Sequence, residues 1–196
     1  MSLEVLNTLG TLLSVAIVGA IATAALVQLR HLRAGNQITA LLAVQNELDS
    51  QDFREAILVR RELPGALRDR AFCEFEIAVS QSRPDIPTND KYLKIRQAAN
   101  LVGNTFENLG SLVKNGILDR RLFLDIYSWI VRRYWNNLEG FTAIARAAAG
   151  ERTIYENFEF IAAVSQRYLE THPDTYPPGM PRLDVRLPKV AEGCIT

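Results

Sequence analysis

The chain begins with a long segment that carries no charge. No Lys or Arg occurs before Arg30, and Glu4 is the only acidic residue ahead of it, so residues 5–29 are uncharged. Of these residues 17 are apolar and two are glycine. As a helix rising ~1.5 Å per residue the segment would extend roughly 37 Å, which exceeds the ~30 Å hydrocarbon layer of a bilayer. The sequence therefore predicts a transmembrane helix over residues 5–29, within an N-terminal anchor of residues 1–33.

Three other structures compete with a transmembrane anchor: a cleaved signal peptide, an amphipathic surface helix and a buried core helix. A signal peptide has basic residues before its apolar core, whereas here Glu4 precedes the segment and Arg30 and Arg33 follow it. A surface helix needs a charged face. A soluble core helix of this length with no charge on any side would be unusual. The anchor is favoured, and the bilayer is its predicted partner.

The positive-inside rule gives the anchor a direction. Because Arg30 and Arg33 are the first basic residues, they are expected to lie on the cytoplasmic side of the inner membrane, with the N-terminus outside. Small residues recur at four-residue steps, as at Gly10 and Ser14, and such a face allows two membrane helices to approach closely. Self-association is thus one expectation, although abundant Ala and Gly in an apolar span explain the same pattern more simply.

Residues 34–172 form the predicted cytosolic domain. Beyond residue 29 lie all 22 basic residues and all but one of the 22 acidic residues. This balance excludes a strongly basic nucleic-acid-binding protein, so no nucleic-acid partner is expected. Apolar residues recur mainly at spacings of three and four, and alternating strand patterns with hairpin turns are missing. The predicted fold is all-α, with an antiparallel bundle of about five to six helices after the membrane helix.

Capping and helix-breaking residues predict where the helices begin and end. Gly35 is expected to weaken continuity with the membrane helix, and Pro64-Gly65 to stop a helix. A Thr153–Glu156 capping box is expected to begin the last helix. The predicted helices cover about residues 36–48, 49–63, 66–82, 89–115, 119–150 and 153–170, with a loop at 83–88. Residues 173–196 contain five of the eight prolines and predict an extended, flexible tail.

Two of these helices carry long apolar stripes and are expected to pack antiparallel through short connections. The first stripe consists of Ile95, Ala99, Val102, Phe106, Leu109 and Val113. The second consists of Phe123, Ile126, Tyr127, Ile130, Tyr134, Leu138, Phe141 and Ile144.

Catalytic and metal-binding chemistry has little support in the sequence. His31 lies at the expected membrane boundary and His172 at the start of the tail, so neither is available for the domain interior. Cys73 and Cys194 share no metal-ligand spacing and are expected to be free thiols in the cytosol. No phosphate-binding loop or nucleophile motif is present. No catalytic residue, metal site or cofactor is therefore predicted.

Arginine outnumbers lysine, and adjacent arginines occur in three places. Arginine is the residue type that binding sites for phosphate or for acidic partners commonly use. The pairs are Arg60-Arg61, Arg120-Arg121 and Arg132-Arg133. Acidic residues lie near these pairs, and exposed helix faces normally carry both signs of charge. Solvated helix faces are therefore the simpler interpretation, with an anion site as the alternative.

A second group of polar residues lies on one side of the helix predicted at 89–115. Arg96, Asn100, Asn104 and Glu107 are spaced at four, four and three residues and should face the same way. With Arg146 and Glu159 on the following two helices, they form a candidate polar cluster. The cluster is either a functional pocket or a network that fixes the register of the helices, and the structural role is favoured.

Several motifs between about residues 90 and 162 resemble a bacterial family known as domain of unknown function 4760. They are Leu93-x-x-Arg96-x-x-x-Asn100, Phe106-Glu107-x-Leu109-Gly110, Gly116-Ile117-Leu118-Asp119, Arg132-Arg133-Tyr134-Trp135, Arg146 and Tyr155-Glu156-Asn157-Phe158-Glu159. The resemblance implies a helical domain behind one membrane helix and supplies no activity. The leading hypothesis is an interaction or scaffold module. A sensor that binds an anionic small molecule through arginines and an enzyme of unrecognised class are the alternatives.

Overall fold

A computed structural model describes residues 3–84, 86, 89–174, 176 and 179–183. This part of the chain contains seven helices and no strand, so the all-α prediction is confirmed. The helices are α1 (Leu3–Leu48), α2 (Gln51–Arg60), α3 (Leu63–Ala66), α4 (Arg70–Ser80), α5 (Asp90–Lys114), α6 (Arg120–Ala149) and α7 (Glu156–Thr171).

Helix α1 is one uninterrupted helix of 46 residues. The prediction of a separate helix from about residue 36 was wrong, because α1 passes through Gly35 without a break. One exposed glycine lowers helix stability by only about 1 kcal/mol, which a long helix tolerates. The Gly35 carbonyl even accepts a further hydrogen bond, from Thr39 Oγ1 at 3.1 Å. The candidate membrane span Gly10–Leu48 contains a window of mean hydropathy 2.2, none of which is buried.

Only the C-terminal end of α1 packs on the bundle. Val44 is 3% exposed and joins the core, with Ala40 and Leu48 packed beside it. Large apolar side chains before them remain exposed, for example Val18 at 66% and Leu32 at 64%. The distance from Leu29 to Ala40 along a helix is ~16 Å. Helix α1 thus has a long exposed apolar part and a C-terminal end that packs on the bundle.

Helices α5, α6 and α7 pack around an aromatic core. The rings of Phe106 and Phe158 stack with centroids 4.9 Å apart, and Tyr134 lies 5.1 Å from Phe106. Trp135 meets Phe158 edge to face at 5.1 Å. Helix α2 adds Phe53, whose ring is 6.3 Å from that of Phe106. Every residue of the predicted α5 stripe is buried.

The segment between α2 and α5 differs from expectation. Helix α2 ends at Arg60, and Pro64-Gly65 lies within the short helix α3 instead of ending a longer one. Proline is tolerated there because the first turn of a helix needs no N–H donor from it. Helix α4 then starts at Arg70, after the Asp69 side chain accepts a hydrogen bond from the Ala71 N–H at 3.0 Å. Helix breaks at 61–62 and 67–69 therefore replace the single predicted stop at Pro64-Gly65.

Other predicted helix ends are confirmed. The Asn89 side chain accepts from the Tyr92 N–H at 3.2 Å, and that of Asp119 from the Leu122 N–H at 2.9 Å. Gly116 and Gly150 have φ of +68° and +70°, so both end their helices in the left-handed region. Asp85, Pro87 and Thr88 of the predicted loop lie outside the described residues. So do residues 175, 177, 178 and 184–196 of the predicted tail, Cys194 included.

The start of α7 contradicts the predicted capping box. Thr153 lies in a turn, and the residue before the helix is Tyr155, whose φ is 56° and whose side chain makes no capping hydrogen bond. The helix begins at Glu156. Its free N–H groups are bound instead by a side chain from α5.

Candidate functional site

The six residues of the predicted polar cluster lie in three neighbouring places. The first is a cavity of about 350 Å³ between α4, α5, α6 and the turn before α7, here called the polar cavity. Its polar lining comprises Glu76, Ser80, Arg96, Asn100, Asn104 and Tyr155. Arg96, Asn100 and Asn104 are thus brought together, as their spacing on α5 indicates. Glu107, Arg146 and Glu159 do not line this cavity.

A buried ion pair lies on one side of the polar cavity. Glu76 is 1% exposed, and its Oε2 is 3.0 Å from Nε of Arg96. Ser80 Oγ donates a hydrogen bond to Glu76 Oε1 at 3.2 Å. Sequence reasoning missed Glu76, although it is four residues from Phe72 and next to Phe75, on the apolar face of α4. An acid among residues of helical core spacing was the available signal.

Tyr155 lies opposite this pair. Its hydroxyl donates to Asn100 Oδ1 at 3.0 Å, and burial raises the pKa of Tyr155 to about 12, so the phenol remains protonated. The ring lies against Gly103 of α5, where an added Cβ would be 2.6 Å from Tyr155 Cζ. Gly103 therefore provides the space that admits this ring.

Glu107 caps the N-terminus of α7 from α5. Its Oε2 accepts hydrogen bonds from the backbone N–H groups of Asn157 at 3.0 Å and Phe158 at 2.9 Å. Its Oε1 accepts from Asn157 Nδ2 at 2.7 Å. A carboxylate at this position satisfies otherwise free N–H groups and interacts favourably with the positive end of the helix dipole. The Glu107 contacts are fully explained by this structural role.

Arg146 holds the same segment from α6. Its Nε donates to the Ile154 carbonyl at 2.9 Å, and a terminal nitrogen lies 2.8 Å from Glu159 Oε2. Glu159 is about half exposed, so this pair faces solvent on one side. Glu107 and Arg146 therefore bind residues 154–159 through different atoms and from different helices.

The buried acid of the polar cavity predicts a pH dependence. Burial raises the pKa of Glu76 above its ordinary 4.5, and Arg96 and Ser80 only partly oppose this shift. A carboxyl group whose pKa is raised by folding stabilises the folded state increasingly as the pH falls through its folded pKa towards the unfolded value. We expect the melting temperature of the wild-type chain, minus that of Glu76→Gln, to increase from about pH 8 to about pH 5. Thermal melts at several pH values measure it, and a difference that is constant or decreases on acidification would contradict it.

A second cavity brings together one arginine pair, Arg60-Arg61, and one member of another, Arg133. It has a volume of about 660 Å³ and lies between the end of α1, α2 and α6; we call it the arginine groove. Its charged lining consists of Arg60, Arg61, Arg133 and Asp49. Its apolar lining includes Leu41, Leu48, Ile57, Ile126, Trp129 and Ile130. Arg120 and Arg132 are outside it, and Arg121 lines a separate pocket with His172.

Two of the three arginines of this groove lie on aromatic rings. The Arg60 guanidinium carbon is 4.5 Å from the centroid of Tyr134, and that of Arg133 is 5.2 Å from the centroid of Trp129. Arg60 is 6% exposed, and burial lowers its pKa from the ordinary value. Such stacking stabilises a cation by about 0.5 to 2 kcal/mol. The groove therefore combines positive charges held in fixed positions with an apolar lining.

The described residues offer little to a metal ion. No group of three or more His, Cys, Asp or Glu side chains within them could hold one. Cys73 is a partly buried free thiol whose Sγ lies 3.5 Å from the Leu67 carbonyl.

These features define an all-helical protein with one N-terminal helix long and apolar enough to cross a membrane. A family model described as domain of unknown function (DUF4760) matches residues 13–164, and the chain belongs to this family. The match extends the resemblance seen at residues 90–162 over α2 to α4 and most of α1. Among curated proteins and solved structures, none matches the chain.

Proposed function

We propose that this chain is a single-pass inner-membrane protein whose helical bundle acts in the cytosol as an interaction module. The supporting observation is α1: a helix of 46 residues whose apolar window is wholly exposed and whose last turns alone pack on the bundle. An apolar surface of this extent is unfavourable in water, and insertion into a bilayer removes it. Burying one apolar side chain fully contributes about 1.5 to 3 kcal/mol.

The continuity of α1 gives the anchor a second role. Residues 5–29 are long enough to cross the hydrocarbon layer, and the helix continues without a break to Leu48. The helix therefore carries the bundle on a rigid stalk, and Ala40, which packs against the core, lies ~16 Å beyond Leu29. Arg30 and Arg33, the first basic residues, favour the cytosolic side for the stalk and the bundle.

An exposed apolar strip on α6 supports the interaction role. Leu122, Ile126 and Trp129 are 43%, 46% and 53% exposed and are spaced at four and three residues on one helix face. Large apolar side chains that are contiguous and exposed mark surfaces that bind other proteins. Tryptophan is also among the residues that contribute most to protein interfaces. The partner is a different protein or a second copy of this chain.

The anchor and its direction are tested by labelling in intact bacterial cells. In a Cys73→Ala variant the remaining Cys194 should react with a membrane-impermeant maleimide only after permeabilisation. In a Ser2→Cys, Cys73→Ala, Cys194→Ala variant the thiol should react without it. Labelling of Cys194 in intact cells would overturn the orientation, and recovery of the chain in the soluble fraction would overturn the anchor.

The same cells test the interaction module. A photoreactive benzoylphenylalanine replaces Leu122 in one variant and the exposed Glu139, on the same helix, in a control. Irradiation should give a discrete crosslinked species from position 122 and none from 139. Its mass distinguishes a second copy from a different protein. Equal or diffuse crosslinking at both positions would contradict a binding surface on this strip.

A further inference from the structure

The arginine groove carries more positive charge than its surroundings balance. Three arginines and one acid line it. Asp49 already lies 3.7 Å from Arg54, outside the lining. None of the ion pairs among the described residues includes Arg60, Arg61 or Arg133. Counting Asp49, the groove has a formal charge of +2 (three arginines minus one aspartate), and within the described residues its three arginines form no ion pair.

Arg60 is the central observation. Its side chain is 94% buried, yet its Nε has no hydrogen-bond partner within the described residues. A buried polar group without a partner costs about 1 to 3 kcal/mol, and more when it is charged. Stacking on Tyr134 fixes the plane of the guanidinium but supplies no acceptor for Nε. An anion in the groove would supply the missing acceptor.

The other half of the groove is apolar. Ile126 and Trp129 line it and are about half exposed. The volume of about 660 Å³ falls in the range of small-molecule sites, ~300 to 1,000 Å³. Such sites combine a mainly apolar lining with a few fixed polar groups. A phosphate or carboxylate alone would leave this apolar surface in water.

We propose that the arginine groove binds a small amphipathic anion, with its phosphate or carboxylate on Arg60, Arg61 and Arg133 and its apolar body against Ile126 and Trp129. This goes beyond the proposed interaction module and does not depend on it. Because Ile126 and Trp129 also belong to the exposed strip on α6, the small molecule and a partner protein would compete for these two side chains. Arginine suits the role because its planar donors match both anions in a bidentate geometry.

The position of the groove favours a water-soluble ligand over a lipid headgroup. Leu41 and Leu48, which line it, lie ~18 and ~28 Å beyond Leu29 along α1. The headgroup region on each side of a bilayer is only about 5 to 8 Å thick. The distance of the groove from the bilayer rests on the proposed membrane span, so the experiment also tests an anionic lipid.

The test uses the full chain in nanodiscs of phosphatidylcholine at about 0.15 M salt, where distant charges are screened. Isothermal titration with 1-naphthyl phosphate should show saturable binding at one site, after subtraction of empty nanodiscs. Inorganic phosphate carries the charge without the body, and 1-naphthol the body without the charge. Both should bind at least tenfold more weakly than 1-naphthyl phosphate.

Variants identify the site. Arg60→Gln and Arg133→Gln should each weaken binding of 1-naphthyl phosphate roughly tenfold or more, as loss of a charged hydrogen bond does. Arg132→Gln, next to Arg133 but outside the groove, should leave it unchanged. Arg133 is exposed, so its variant remains informative if Arg60→Gln impairs folding. Nanodiscs containing phosphatidylglycerol should give the same affinity as neutral ones.

Four results would overturn the proposal. If 1-naphthyl phosphate shows no saturable binding, the groove is not a binding site. If Arg132→Gln weakens its binding as much as Arg133→Gln does, the binding reflects general surface charge. Binding of inorganic phosphate or 1-naphthol as tight as that of the whole probe removes the amphipathic requirement. Displacement of the probe by phosphatidylglycerol assigns the groove to a lipid headgroup instead of a soluble molecule.

Discussion

Replacing Glu107 with leucine is expected to lower the free energy of unfolding by roughly 3 to 5 kcal/mol. The substitution leaves the N–H groups of Asn157 and Phe158 without their acceptor at the start of α7. Each such donor costs about 1 to 3 kcal/mol, and the loss of a carboxylate at a helix N-terminus adds to it. For a chain of this size the melting temperature should fall by roughly 6 to 20 °C.

Thermal unfolding of the full chain, followed by circular dichroism, measures this effect. Asn108→Leu is the matched control, because residue 108 is exposed and adjacent on α5. It should change the melting temperature little, since surface substitutions usually act within about 0.5 kcal/mol. Glu107→Gln, which keeps an acceptor without charge, should be intermediate. A Glu107→Leu variant that melts with the control would show that this cap contributes nothing.

Arg146 extends the same experiment, because it binds the segment that Glu107 caps. If both side chains hold residues 154–159 in one conformation, loss of either frees that segment and makes the other less effective. The double variant Glu107→Leu, Arg146→Leu should then be destabilised by less than the sum of the single variants, with a coupling of about 0.5 to 3 kcal/mol. Strictly additive losses would mean two independent contacts.

Local signals in the sequence predicted much of this fold. Asn89, Asp119 and Gly150 mark helix ends because each acts on backbone groups within four residues of itself. The start of α7 could not be predicted in this way, since its capping carboxylate is 50 residues distant on α5. The sequence offered Thr153 and Glu156 as a local alternative, and the tertiary contact prevailed. Gly35 is a local signal that misled the prediction, because one glycine is too weak a helix breaker to end a long helix.

The candidate sites differ in the same way: residues on one helix could be placed together from their spacing, whereas contacts between helices could not. Spacing on one helix was enough to place Arg96, Asn100 and Asn104 together, because residues four apart share a face. No periodicity in the sequence indicates that Arg60 and Arg133 meet, since this depends on how α2 packs on α6. Ile126 belongs to the predicted core stripe of α6 but is 46% exposed. It lines the arginine groove.

Gly110→Ala is expected to be at least as damaging as loss of the Glu107 cap. Helices α5 and α7 approach so closely here that an added Cβ would overlap the Asn157 carbonyl and lie 2.9 Å from the Asn157 Cβ. The backbone of α7 cannot rotate away as a side chain can, so the two helices must separate. That opens the aromatic contact between Phe106 and Phe158. Overpacking of this kind costs typically 1 to 3 kcal/mol and more against a backbone, so we expect about 3 kcal/mol or more.

Gly140→Ala provides the control for this substitution. Its added Cβ would meet only the Leu67 Cδ1, at 3.2 Å, and that flexible side-chain end can move. The gain of up to about 1 kcal/mol from replacing a helical glycine should roughly offset the contact. Denaturant unfolding of both variants compares them, with the slope of each transition as a check for intermediates. If Gly110→Ala unfolds at the same midpoint as Gly140→Ala, α5 and α7 do not meet backbone to backbone at this position. Glu107 lies one helical turn from Gly110, so that result would also weaken the case for its direct cap on α7. If Gly110→Ala and Glu107→Leu are both destabilised, one contact region between α5 and α7 accounts for the two effects.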